Sequence, residues 1–233
     1  GERIRWHTSF DEVPEGFTLI AANELFDAIP IRQFVKTPTG FRERMVGLDA
    51  DGELCFAAGV ATLDPALLPP RQIAPPDGEI FEVAPARQAV MTTLCDRLRK
   101  CHGTALVIDY GHMVSGFGDT LQAVLAHAYD PPLAHPGMAD LTRHADFENL
   151  ARTALAAGVH VNGCMYQGDF LVGLGIEDRA ASLGRGKDEQ TQADIVKAVE
   201  RLAGAGEGRM GELFKVLAIS SPAVNLPPFK GAN

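Results

Sequence analysis

Three kinds of hydrophobic pattern alternate along the chain. Continuous apolar runs occur at residues 17–22 (FTLIAA), 104–109 (TALVID) and 213–219 (LFKVLAI), and each predicts a buried strand of an open sheet. Strand-like stretches at 31–37 and 41–48 flank the turn signal Pro38-Thr39-Gly40, and Asp49-Ala50-Asp51-Gly52 precedes a third at 54–58. These predict an antiparallel meander, with 80–83 extended beside it and an insertion covering about 31–83. Helical spacing follows Pro85, where Ala89, Val90, Leu94 and Leu98 share a face up to Gly103. It returns with Phe147, Leu150, Ala151, Ala154 and Leu155, capped by Thr142, and with Ile195, Val196, Val199 and Leu202.

Shorter signals fill the gaps. Residues 4–7 alternate like a short strand, 25–30 read as a turn of helix closed by Pro30, and 120–129 suit either strand or short helix. Residues 159–166 are extended, a helix runs through Ala180 and Leu183, and 63–78 and 222–233 lack regular pattern. Alternating strand and helix with added β structure predicts an α/β fold built on an open sheet.

Composition narrows the function. A chain of 233 residues buries a substantial core without disulfides. Its formal net charge of −9, with no stripe of Lys and Arg, excludes a general nucleic-acid binder. No apolar run reaches the length of a transmembrane helix, and no signal peptide is visible. The cysteines form no CxxC pair, which favours a reducing compartment. Cys95, Cys101 and His102 lack a fourth ligand for structural zinc, so no metal is expected.

Nucleotide and hydrolase fingerprints are missing: no GxGxxG follows a first strand, and GxxxxGK[ST], HExxH and GxSxG do not occur. The informative chemistry lies at two strand ends, where open α/β sheets bind ligands. Asn23, Glu24 and Asp27 follow the first run; Asp109, Tyr110 and His112 close the second. A carboxylate there orients a cationic nitrogen, or it only caps a turn; the residues leave both readings open. Asp140 and His144 lie four apart at an expected helix start. Gln122 and Gln167 face either a pocket or a backbone partner.

Longer phrases carry a resemblance. They are residues 22–34 (ANELFDAIPIRQF), 108–111 (IDYG), 118–124 (GDTLQAV), 140–147 (DLTRHADF), 167–171 (QGDFL) with 174–176 (LGI), and 210–216 (MGELFKV). In this order they resemble the MidA family of class I S-adenosylmethionine-dependent methyltransferases. That family includes the mitochondrial complex I assembly arginine methyltransferase and bacterial relatives. The resemblance covers nearly the whole chain. It implies a partial Rossmann-like methyltransferase sheet carrying the β meander, with residues 1–233 the C-terminal part of one methyltransferase domain. The implied cofactor is S-adenosyl-L-methionine, and the implied substrate is a protein arginine, on a respiratory complex I subunit during assembly. The implied location is the cytoplasm in a bacterium or the mitochondrial matrix in a eukaryote, and a homodimer is compatible.

The resemblance also distributes roles. Glu24, then Asp27 and Asp109, are the expected catalytic carboxylates; Asn23, Trp6 and His7 are expected at the cofactor. Tyr110, Gln122, Asp140, His144 and Gln167 are expected in the substrate pocket. The family's glycine-rich cofactor turn is expected upstream of Gly1, so this chain alone is expected to be inactive. The alternative is a noncatalytic assembly or binding factor that keeps the methyltransferase-like fold.

Overall fold

The computed structural model describes residues 4–69 and 75–229; the irregular stretches expected at 63–78 and 222–233 fall partly outside them. After a 3₁₀ turn at Phe10–Glu12 come strands β1 (Thr18–Asn23), β2 (Arg32–Thr37), β3 (Gly40–Leu48), β4 (Leu54–Thr62) and β5 (Ile80–Val83). Helix α1 (Pro85–Cys101) leads to β6 (Gly103–His112), β7 (Gln122–Leu125), β8 (Ala128–Asp130), β9 (Asp140–Thr142) and β10 (Ala145–Asp146). Then follow α2 (Phe147–Ala156), β11 (His160–Tyr166), α3 (Gln167–Gly173), α4 (Ile176–Gly184), α5 (Glu189–Ala203) and β12 (Phe214–Ser221).

The main sheet has the order β1-β6-β12-β11, with β10 also paired to β6. β1 and β10 run parallel to β6, whereas β12 is antiparallel to both β6 and β11. All three apolar runs therefore lie side by side, and β12 sits inside, with seven of its eight residues buried. One face is covered by α1 and α2, which set Met91, Leu94, Cys95, Leu98, Phe147 and Leu150 against Val107, Leu217 and Ile219. On the other face Phe170 and Phe229 pack on Val216 and Ala218. The meander is a separate antiparallel sheet, β4-β3-β2-β5, around Phe34, Leu63 and Phe81. A small hairpin sheet, β8-β7-β9, completes the described strands.

Five expectations are corrected. β1 is parallel to β6 but buried only in part: Ala22 is in the core, while Leu19 is 76% exposed on an edge strand among the described residues. An apolar run does not distinguish edge from centre. Residues 4–7 are irregular rather than a strand, and 25–30 form turns instead of a helix. Asp146, not Thr142, caps α2: its side chain accepts from the Asn149 amide, while Thr142 belongs to β9. The buried face of α1 is also rotated. It comprises Arg87, Met91, Leu94, Cys95 and Leu98, and Ala89 is exposed.

Candidate active site

The site begins where β1 stops. The Glu24 amide still pairs with the Ile108 carbonyl at 2.9 Å, continuing the β1–β6 ladder one residue further. There the backbone turns sharply, with Glu24 at φ 50°, a left-handed conformation that costs a non-glycine residue about 1–2 kcal/mol. The turn drops Phe26 into the core at 0% exposure and leaves Asn23 and Glu24 in solvent. The Asn23 amide nitrogen donates to Glu24 Oε1 at 3.3 Å.

Asp109, near the C-terminal end of β6, holds this turn. Its Oδ2 accepts from the Phe26 and Asp27 amides at 3.0 and 3.1 Å, and its Oδ1 accepts from the Tyr110 amide at 2.9 Å. Burial, followed by the neighbouring Asp27 charge, pushes the Asp109 carboxyl up to about 6 against the pull of those amides. Asp109 is 0% exposed and both oxygens are engaged. Asp109 therefore holds the turn in place through three backbone amides.

Asp27 links the turn to a second region. Its Oδ2 accepts from the Tyr110 hydroxyl at 2.5 Å and from Thr142 Oγ1 at 3.0 Å, while its buried Oδ1 has no hydrogen-bond partner among the described residues. Burial and the Asp27 hydrogen bond raise the Tyr110 phenol well above its ordinary range, so it remains a donor. The Tyr110 ring meets His144 and Phe214 edge-on at centroid distances of 5.8 and 5.5 Å. Tyr110, Gln122, Thr142, His144 and Phe214 share a hollow of about 570 Å³. Burial, then the fields of His112 and Lys215, hold His144 below its ordinary value, so its ring is neutral near pH 7.

Arg87 was absent from the expected site, yet it joins these parts. It is 3% exposed and donates to the carbonyls of His144 at 2.5 Å, Arg143 at 3.1 Å and Asp27 at 3.3 Å. It thus ties the turn after β1 to the segment entering β10. Gly111 permits that approach, since a Cβ there would lie 2.0 Å from the Ala145 carbonyl oxygen. The α1 sequence held a signal for Arg87, which shares helical spacing with Met91, Leu94 and Leu98.

Other expected residues lie apart. Asp140 is exposed on β9, and His144 lies between β9 and β10, so the pair does not start a helix. Gln167 is buried and donates to the Leu202 carbonyl at 2.9 Å, joining α3 to α5 rather than lining the hollow. Trp6 is 91% exposed, and His7 pairs with Glu12 at 3.8 Å; neither joins the Asp27–Asp109 network. Among the described residues no group of three or more His, Cys, Asp or Glu side chains is placed to hold a metal. Cys95 is buried, its thiol pushed up to about 11 chiefly by burial.

Residues 1–165 match the family model described as "Putative S-adenosyl-L-methionine-dependent methyltransferase". The chain belongs to this family. Membership agrees with the resemblance carried by the sequence phrases. This methyltransferase-family chain is 34% identical over 222 residues to "Protein arginine methyltransferase NDUFAF7 homolog, mitochondrial" of Caenorhabditis elegans, covering 94% of the chain and 51% of that protein. It is 31% identical over 226 residues to "Protein arginine methyltransferase NDUFAF7, mitochondrial" of Danio rerio, covering 96% and 52%. A Burkholderia thailandensis crystal structure bound to S-adenosyl-homocysteine superposes with a TM-score of 0.79 at 29% identity, over 99% of this chain and 58% of that one. The chain spans about half the length of the curated relatives it matches. No described helix is long and apolar enough to cross a membrane.

Proposed function

We propose that the protein transfers a methyl group from S-adenosylmethionine to a protein arginine, with Glu24 orienting the guanidinium. The supporting observation is the turn from Asn23 to Asp27. It lies at the C-terminal edge of a parallel strand pair, where open α/β sheets bind ligands. It is strained at Glu24 and clamped by a buried carboxylate, yet the Asn23 and Glu24 side chains are exposed. The names of the curated relatives and the S-adenosyl-homocysteine in the solved neighbour agree with this reading.

The exposed Asn23 amide and the open Trp6 indole suit the polar and aromatic parts of the cofactor. Asn23, Trp6 and His7 would hold it. When bound, it supplies a methyl group on a sulfonium already activated for displacement. The chain's own residues then position and neutralise. Glu24 accepts guanidinium N–H bonds and takes the proton that the nitrogen loses as it gains the methyl. Asp27, fixed by Tyr110 and Thr142, sets its carboxylate beside the hollow that Tyr110 and Thr142 line, where its charge attracts a guanidinium. Neutral His144 adds no positive charge of its own to the hollow beside Tyr110.

In this reading residues 1–233 belong to one methyltransferase domain, with a β-rich insertion at about 31–83. A respiratory complex I subunit is the substrate the resemblance implies. The bacterial cytoplasm or the mitochondrial matrix is the matching location.

The test compares the full-length protein with Glu24→Gln, using calorimetric titration of S-adenosylmethionine and labelled methyl transfer to an arginine-containing peptide. Cofactor affinity is expected to hold, while transfer falls by on the order of a hundredfold. Unchanged transfer sinks the role of Glu24. No cofactor binding by folded protein sinks the methyltransferase reading and favours the noncatalytic one.

A further inference from the structure

Strand β4 is a free edge of the meander sheet among the described residues. Its inner side pairs with β3, and no described strand lies beyond it. A free edge presents backbone N–H and C=O groups that another strand can use, and soluble proteins guard such edges with charges, prolines or bulges. β4 reads LCFAAGVAT, nine residues without a charge or a proline, in a chain where 22% of residues are charged. Its guard is the irregularity past Ala58, where the register with β3 shifts and the Val60 carbonyl is taken by Arg42. From Leu54 to Ala58 the ladder is regular and its outer edge is open.

The side chains beside that edge are apolar as well. Val46 pairs with Phe56 and Leu48 with Leu54, which places all four on one face. Val46, Leu48 and Leu54 are 52%, 68% and 37% exposed. Phe56 carries the Arg44 guanidinium 3.5 Å above its ring. Ala57 and Ala58 are exposed, so no side chain obstructs a strand laid alongside.

We propose that β4 pairs antiparallel with β4 of a second copy of this chain, about a two-fold axis at Phe56. In that register Leu54 faces Ala58 of the other copy, Cys55 faces Ala57, and the two Phe56 side chains meet on the axis. A two-fold interface must be complementary to itself. A charge near the axis would face its own copy; β4 itself has none, and the Arg44 guanidinium over Phe56 is already paired with Asp119. The rest of the molecule carries net charge −9, so two copies repel over most of their surfaces and approach most easily here. Pairing aromatic with aromatic across the axis adds to the backbone bonds. Two four-stranded sheets become one of eight strands, with Val46, Leu48 and Leu54 of both copies forming one apolar face. The edge lies on the meander sheet, so pairing there does not occupy the turn after β1.

Sedimentation velocity from low to high micromolar concentration tests this on the protein, on Ala57→Lys and on Ala58→Lys. Hydrogen exchange of the amides at 54–58 is followed in parallel. The expected result is a dimer whose 54–58 amides become protected as concentration rises. Each substitution enters the interface twice and should weaken the dimer by on the order of tenfold or more. A protein that stays monomeric overturns the proposal. So does a dimer that survives both substitutions, or one whose exchange at 54–58 is independent of concentration. Protection that appears only when an arginine-containing peptide is added assigns the edge to substrate docking and also overturns it. If a lysine variant misfolds, exchange on the unmodified protein decides alone.

Discussion

Asp109 and Glu24 divide one task between them. Asp109 is buried and bound to three backbone amides, whereas Glu24 is exposed on the turn those amides build. The cost of burying Asp109 is visible in its titration. Its folded value of about 6 lies above that of an unfolded aspartate, so the native state binds the proton more tightly. Native stability contributed by this group therefore rises as pH falls from about 6 to about 4, and the penalty is fully present above 6. Asp109→Asn has no charge to titrate there. Unfolding of both proteins in urea should show the stability of wild type, relative to the variant, increasing by about 2 kcal/mol between pH 7 and pH 4.5. A gap that does not move with pH contradicts the buried charge. Sequence spacing put Asp109 beside Tyr110 at a strand end but said nothing about its depth or its three amide partners. Arg87 carried a signal in its helical spacing, but its charge masked it. A charge in an apolar helical stripe reads as solvated until its backbone partners, contributed by two distant segments, are known.

At the level of elements, sequence periodicity served best where one neighbour decides the outcome. The meander strands β2 to β4 were marked off by their turns, which contain Gly40 and Gly52 at φ 116° and 82°. It served less well where several partners compete. The α2 cap fell to Asp146 because that carboxylate also accepts from Ser115 Oγ at 2.6 Å and lies 3.7 Å from His112, a cluster assembled from β6 and the loop after it. Burial alone would push Asp146 up, but His112, Ser115 and the Asn149 amide together hold it below its ordinary value. Its contribution is therefore present above the unfolded value and is lost as pH falls through the lower folded one. Asp146→Ala should lower stability by about 1–2 kcal/mol near neutral pH. Thermal unfolding should show that difference shrinking in strong acid, below about pH 4. A difference that persists there would assign the loss to packing alone.

Across the whole molecule, β12 is the strand on which the main sheet depends. It bridges β6 and β11 and contributes to both faces, with Val216 and Ala218 on one side and Leu217 and Ile219 on the other. Leu217→Ala at this 0% exposed position should cost about 2–5 kcal/mol. Denaturant titration should find a lower midpoint with an unchanged slope. A loss below 1 kcal/mol would mean that the site collapses around the smaller side chain. The α/β class and the grouping of the three apolar runs were legible from pattern. Their order was not, because strand pairing over such separations leaves no local mark.

That separation has a consequence during synthesis. β6 leaves the ribosome about a hundred residues before β12, its antiparallel neighbour. Throughout that interval one side of β6 lacks its final partner, and the apolar surfaces later sealed by β12 stay open. Contacts so distant in sequence form slowly, and an unfinished sheet invites foreign strands. The nascent chain must therefore be sheltered until its twelfth described strand arrives.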